Sequence, residues 1–567
     1  MRRTLAGGNR AATHEVRFHL RSTALMARIP VPTKDALPRP SPAKPKIMDL
    51  YVSRPNWRAT HLLGLLLFAG GRFVTGFLTA AEPELKSVFP TACQLGESVE
   101  ITLLGTGLDP GAELYFSRDG LTAESIEKGR FHVSASADAA LGDCDLWVAT
   151  PAGIAGPRRF SITPDPVVAE QEAGDTREQA QPIAIPSLLS AKLDMRADLD
   201  WFAFAGEQNQ QITIRCRSSS LDGSAQPAFA LFGPDGGELI HSSPHHREPQ
   251  RTCRLAATGT YRLLVHDRAY RQDDFSFYQL EITSGSPDAL PVEYQASLLG
   301  PDDLIGTTEV QNEQEQSRNS PQTVQLPYRL AGHFSEQNEV DWFRFQAKKG
   351  QVIHLEAFGE RLGQQMDVEA AIYNTDGKLI TTASDFAAPK GIPAALQLES
   401  LDPMIDWKVP ADGDYLVAVR DLYGGSVFGA DRDYELILET QRPHCFVIAM
   451  PSASKPGRGV FVKRGGKAEL SVHVVRKGGF TGPVTVRAEE TLRGVTLEPC
   501  VLDGKEFTKA IKLSAAKDAP TGFRSLRLVA DAETGSDKQT NLVRSAVQLR
   551  AGTTRRIDEL VIYVSYQ

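Results

Sequence analysis

Along most of the chain apolar and polar residues alternate with a period of two, which is the pattern of half-buried strands and not of helices. Val99-Glu100-Ile101-Thr102-Leu103, Gln211-Ile212-Thr213-Ile214 and Tyr261-Arg262-Leu263-Leu264-Val265 are examples, and Gly, Pro, Asp and Asn turns separate such runs. Short alternating strands at this spacing predict β-sandwiches. A chain of 567 residues is longer than one hydrophobic core serves, so several sandwiches are expected in succession.

An internal repeat is the strongest pattern. Asp200-Trp201-Phe202-Ala203-Phe204 returns as Asp341-Trp342-Phe343-Arg344-Phe345. Gly233-Pro234-Asp235-Gly236 returns as Asn374-Thr375-Asp376-Gly377, with the same tryptophan-to-aspartate spacing of 34 in both copies. Ala257-Thr258-Gly259-Thr260-Tyr261 then matches Ala411-Asp412-Gly413-Asp414-Tyr415, and the copies close on strands beginning at Tyr278 and Tyr434. Copy two is longer by an insertion before its Gly413-Asp414-Tyr415 strand.

These three ordered motifs resemble the bacterial pre-peptidase C-terminal domain, a small β-sandwich appended to secreted peptidases and other surface proteins. Asp198-Leu199-Asp200 before Trp201 matches the acidic start of that pattern, whereas copy two carries Glu339 in place of Asp198. Ahead of the repeat, Gly96-Glu97-Ser98-Val99-Glu100-Ile101 leading to Gly105-Thr106-Gly107-Leu108 resembles the opening of IPT/TIG immunoglobulin-like domains. After it, strands from Ala468 and Val484 around Gly478–Val484 resemble the Ig-like modules of bacterial exoproteins.

The expected fold class is therefore all-β, a string of four β-sandwich domains, Ig-like and jelly-roll-like. The boundaries read as 83–164, 187–285, 326–440 and 443–550. Polar stretches 165–186 and 286–325 read as linkers, and 551–567 as a terminal strand that pairs on an edge.

Charge is divided unevenly. Residues 1–47 hold ten Lys/Arg against Glu15 and Asp35, residues 48–81 are net +2, and the remainder carries −18 of the overall −8. A body that acidic and without a basic cluster excludes nucleic acid as the expected partner. Residues 48–81 have the layout of a secretory signal peptide, with Arg54 and Arg58, an apolar run Leu62–Gly71, and Thr79-Ala80-Ala81 before Glu82. The rival reading is an uncleaved anchor over 62–81, and a membrane is a partner only in that case. The preceding 47 residues read as a basic, disordered or mis-assigned leader, with translation starting at Met48.

The six cysteines, Cys93, Cys144, Cys216, Cys253, Cys445 and Cys500, fall two to each of three segments. With export, three sequential disulfides are expected; the alternative is six buried thiols. No GxSxG, HExxH or P-loop sequence is present, and no catalytic residue stands out. His241, His245 and His246 read as a solvated loop in preference to a zinc or copper site.

Asp194, Asp198 and Asp200 offer clustered hard oxygens of the kind calcium prefers. The resemblance adds that some family members bind calcium near the domain edge. The competing role for Asp198 and Asp200 is capping a turn through backbone N–H groups. Alternation places Trp201 and Ala203 on one face and Phe202 and Phe204 on the other, so the aromatics read as core, with a sugar-stacking face as the alternative.

The leading functional expectation is a non-catalytic exported scaffold that binds an extracellular protein or polysaccharide, with no cofactor beyond possible calcium. The alternatives are an accessory component of a secreted peptidase system and a calcium-dependent carbohydrate-binding protein.

Overall fold

The computed structural model describes residues 81–567 apart from 109–110, 172–175, 243–246, 286–309, 315, 390, 430–431, 453–455, 535–536, 551 and 567. The leader, the signal or anchor segment up to Ala80, and His245 and His246 lie outside the described residues. No helix among the described residues is long and apolar enough to cross a membrane.

The fold is all-β and multi-domain, as the alternation predicts, with only short 3-10 turns besides strands among the described residues. The first sandwich pairs two four-stranded sheets. One runs Glu84–Phe89, Ser98–Thr106, Arg130–Ala135, Leu121–Glu127; the other runs Ala92–Gln94, Gly153–Thr163, Gly142–Thr150, Glu113–Phe116. Ile101, Phe131, Leu146 and Phe160 close the core between them. Its glycines do what the sequence requires: Gly107 has φ +65, and a Cβ on Gly105 would lie 1.9 Å from the Glu84 carbonyl oxygen.

The two repeat copies share one topology. In copy one a five-stranded sheet runs Gln181–Pro182, Asp200–Gly206, Gly259–Asp267, Pro227–Phe232, Glu238–His241. The facing sheet runs Gln250–Arg254, Gln211–Arg217, Phe277–Ser284, Ser187–Lys192, Val167–Ala169. Copy two repeats both orders strand for strand, from Gln322–Thr323 to Leu379–Ala383 and from Met404–Lys408 to Val310–Asn312. Register repeats as well: Phe204 faces Tyr261 and Phe345 faces Tyr415. In each copy the tyrosine hydroxyl donates to a carbonyl four residues upstream, Ala257 or Ala411. The stretches 165–186 and 286–325, expected as linkers, thus contain parallel edge strands for both sheets of their copy, Val167–Ala169 and Gln181–Pro182 in copy one and Val310–Asn312 and Gln322–Thr323 in copy two. Their polar composition fits an edge, where one side of the backbone faces water.

The last sandwich combines a six-stranded, a four-stranded and a three-stranded sheet. The terminal strand Leu560–Ser565, expected on an edge, lies in the middle of the three-stranded sheet, between Val460–Lys463 and Gly522–Leu526. All six of its residues are buried. Its continuous apolar run is what a strand covered on both faces needs.

The sandwiches are packed against one another, and not strung on flexible connections. Trp147 and Ile154 of the first sandwich belong to the core of the last. The insertion of copy two places Leu396 and Leu398 against Phe446, Ile448, Val475 and Ala546 of the last sandwich. Arg555, 3% exposed, donates to Asp145 of the first sandwich and to Asp222 of copy one, both at 2.7 Å. Arg217 of copy one pairs with Asp143 of the first sandwich. Within copy two His354 bridges Asp406 (2.7 Å) and Glu356 (3.0 Å), and Lys477 of the last sandwich reaches the same Glu356 at 3.3 Å. Burial opposes charging His354, but those two carboxylate hydrogen bonds prevail and lift its pKa to about 9.

None of the three expected disulfides forms; all six cysteines are free thiols. Cys93 and Cys144 sit on strands separated by Gly153–Thr163. Cys253 faces Ile212, so Cys216 lies four residues further along, about 13 Å away at the strand rise and beyond bridging reach. The shared face was legible from alternation, but the register was not. Cys445 and Cys500 lie in different sheets. Burial raises every one of these thiol pKa values, that of Cys445 to about 11, which leaves them poor nucleophiles.

Two outcomes follow. In native protein a maleimide reacts slowly, and denaturation without reductant exposes six reactive thiols; a mass shift that requires reductant would overturn the free-thiol arrangement. Replacing Arg555 by Ala removes the cation shared by Asp145 and Asp222, leaving Asp145 only Arg159 at 3.7 Å, and is expected to cost about 3–5 kcal/mol, read as a lower urea midpoint.

Candidate metal centre

Each copy gathers carboxyl groups where its polar edge segment meets the start of the Asp-Trp-Phe strand. In copy two these are Glu313, Glu339 and Asp341, with ligand oxygens all within 4.8 Å of one another, the group of three of this kind among the described residues. Glu313 takes its place because its Oε2 accepts the backbone N–H of His333 at 3.0 Å. Glu339 caps the preceding turn, accepting Glu336 N–H at 2.8 Å and the Ser335 hydroxyl at 3.1 Å. Asp341, buried at the strand start, accepts the Tyr434 hydroxyl at 2.7 Å.

Copy one builds the same frame. Glu170 accepts Lys192 N–H at 2.8 Å, Asp198 accepts the N–H groups of Asp194 and Met195, and Asp200 accepts the Tyr278 hydroxyl at 2.6 Å. Both oxygens of Asp198 serve backbone donors, since Leu199 N–H bonds the other one at 3.1 Å. Of the three aspartates singled out in the sequence, Asp198 is therefore a turn cap and Asp200 a buried partner of Tyr278. Asp194 is exposed and contributes its backbone N–H. Glu339, the departure from Asp198, performs the same capping with one more methylene.

Sequence reasoning missed Glu170 and Glu313, which lie in the stretches taken for linkers. It also missed Arg177 and Arg318. Arg177 lies over the rings of Trp201 and Phe232 and donates to the Gly236 carbonyl; Arg318 lies over Trp342 and Tyr373 and donates to Gly377. The sequence distance between donor and acceptor is 59 in both copies, a repeat signal that was available. These arginines cover the outer ring pairs, so Trp201 and Trp342 are not open stacking faces. Phe202 and Phe204 point into the core, as alternation predicts. His241 is exposed and approaches Glu238 at 3.2 Å.

Electrostatics define what these clusters can do. Burial, reinforced by the Glu313 charge, raises the Asp341 pKa to about 9; burial and the Glu170 charge raise that of Asp200 well above the carboxylate range. Each buried aspartate thus holds a proton at neutral pH, chiefly because burial disfavours its charged form and further because a second carboxylate stands beside it. A hard cation could replace that proton, and an all-oxygen donor set suits calcium. The residues present in copy two fit such an ion, with Glu313, Glu339 and Asp341 as the groups that would hold it. Bound there, it would tie the edge segment to the strand without taking part in covalent chemistry.

No protein-family model and no curated protein matches this chain. Among solved structures, the pre-peptidase C-terminal domain of a collagenase from Bacillus anthracis is similar to a part of it. The identity is 15%, covering 18% of this chain and 94% of that one, with a TM-score of 0.16.

The raised pKa values have a sign. The folded state keeps protons that the unfolded carboxyls release near pH 4, so this contribution is full below about pH 4 and is lost as pH rises through about 9. In chelator the urea midpoint should fall across that range, and Asp200→Asn with Asp341→Asn, which imitates the protonated acids, should flatten the slope. Calcium should raise the midpoint of the parent more at pH 8 than at pH 5 and leave the double variant unmoved. No response at either pH would identify the clusters as proton-sharing carboxyl pairs only.

Proposed function

We propose that this chain is an exported, non-catalytic scaffold of β-sandwiches that binds an extracellular protein or polysaccharide. In this reading 187–285 and 326–440 are two modules of the pre-peptidase C-terminal type. An IPT/TIG-like sandwich precedes them, an Ig-like sandwich follows, and 48–81 directs export. The observation that supports it most is the fusion of the sandwiches. Shared cores join the first sandwich and copy two to the last sandwich, and Arg555 joins copy one to it, an arrangement that would hold the two copies in one mutual orientation and let their loops present a rigid surface. The cost of ordering those loops is met when the protein folds, which favours tight binding of a partner.

Intact mass of protein recovered from its native host tests the export half. A chain beginning near Glu82 is expected, and a cytoplasmic chain retaining residues 1–81 would overturn it. Hydrolase activity in the purified protein that a single substitution abolishes would overturn the non-catalytic half.

A further inference from the structure

A cleft of about 990 Å³ lies where both repeat copies meet the last sandwich. Its walls are built from the same turn used twice. In copy one Ser219 and Ser220 of the 3-10 turn Ser219–Leu221 and the following Ser224 and Gln226 line it; in copy two Glu360–Leu362 leads to Gln364 and Gln365. Arg247 of copy one approaches Glu360 of copy two at 3.3 Å, and Arg268 donates to Gln365 at 3.4 Å, so copy one meets copy two at the copy-two turn. The insertion of copy two adds Leu396 and Gln397, and the last sandwich adds Arg550 and Thr554. Gln397 bonds both the Gly552 carbonyl and Thr554 N–H, which fixes this third wall.

The lining chemistry is selective. The volume is that of a ligand site, but such sites for apolar molecules are lined mainly by hydrophobic and aromatic side chains. Here amides, guanidinium groups, carboxylates and hydroxyls predominate, with no aromatic side chain among the lining residues. Glu248, Asp273 and Glu399 stand among the arginines, so the cleft is not a polyanion site. Planar amides, carboxylates and guanidinium groups present paired donors and acceptors that match adjacent hydroxyls. A second observation points the same way. Gln364 is 5% exposed, yet its Oε1 has no hydrogen-bond partner. A buried amide oxygen left unpaired costs stability and calls for an explanation, and a rotation of the Gln364 side chain toward the cleft it lines would let a ligand hydroxyl supply the missing donor.

We propose that this cleft binds a neutral oligosaccharide, read by the paired turns of the two copies and by Gln364 and Gln397. The inference rests on the proposed binding function and names its ligand class.

The test is calorimetric titration of the full chain with neutral gluco-, xylo-, manno- and galacto-oligosaccharides, alongside polygalacturonate as an anionic control. At least one neutral series should bind, and Gln364→Leu and Gln397→Ala should each weaken it about tenfold, the size of one lost hydrogen bond. Removing an unpaired amide is not expected to lower stability, so Gln364→Leu should keep or raise the melting temperature while binding falls. Asp235→Ala, at a turn outside the cleft, should bind as the parent. Absence of binding by every neutral series, binding of polygalacturonate alone, or full affinity in both cleft variants would overturn the proposal. A mature N-terminus near Glu82 with no sugar binding would leave the exported scaffold standing, with a protein as its partner.

Discussion

The arrangement of this molecule turns on Arg555. A guanidinium buried this completely needs carboxylate partners, and it takes them from two other sandwiches, Asp145 and Asp222. Apolar burial around Trp147, Ile154, Leu396 and Leu398 supplies most of the attraction between sandwiches, but it is non-directional. Buried charges are directional and intolerant. Any packing that keeps one of them dry without its partner costs several kcal/mol, so the ion cluster selects a single orientation from the many that would bury similar area. Arg217 with Asp143, and Lys477 with Glu356, repeat that logic at the neighbouring contacts.

Duplication and divergence divide the work between the two copies. Both keep the arginine over the outer tryptophan, the carboxyl pair beneath the edge segment, and the tyrosine that bonds back to its own turn. Those features act within one sandwich. The differences serve contacts between sandwiches. The insertion before the Gly413-Asp414-Tyr415 strand builds the seat for the last sandwich. Asp222, at the end of the copy-one turn, receives Arg555, whereas Gly363 stands at the matching place in copy two. The cleft at the junction is a product of both: duplicated turns on two sides, divergent insertion on the third.

Part of the candidate metal centre was legible and part was not. Asp198 and Asp200 announced themselves by their place before the tryptophan, and Glu339 and Asp341 by the repeat. Glu170 and Glu313 did not, because a short parallel edge strand of two or three polar residues carries no alternation to detect. The cysteines show the same boundary. Alternation assigns Cys216 and Cys253 to one face, but a bridge needs register, and the four-residue offset arises from how two strands far apart in sequence come to pair.

Strand after strand, the all-β class, the duplicated module and the inward faces of Phe202, Phe204, Phe343 and Phe345 follow from the sequence itself. Side-chain parity and turn chemistry are local, and the chain spells them out in order. Which strands become neighbours was decided only in three dimensions. The central position of Leu560–Ser565, the loss of every expected disulfide, the fusion of the sandwiches and the cleft all come from pairing over long separations. There the free energy of burying apolar surface and satisfying charges is collected from residues that share no local pattern.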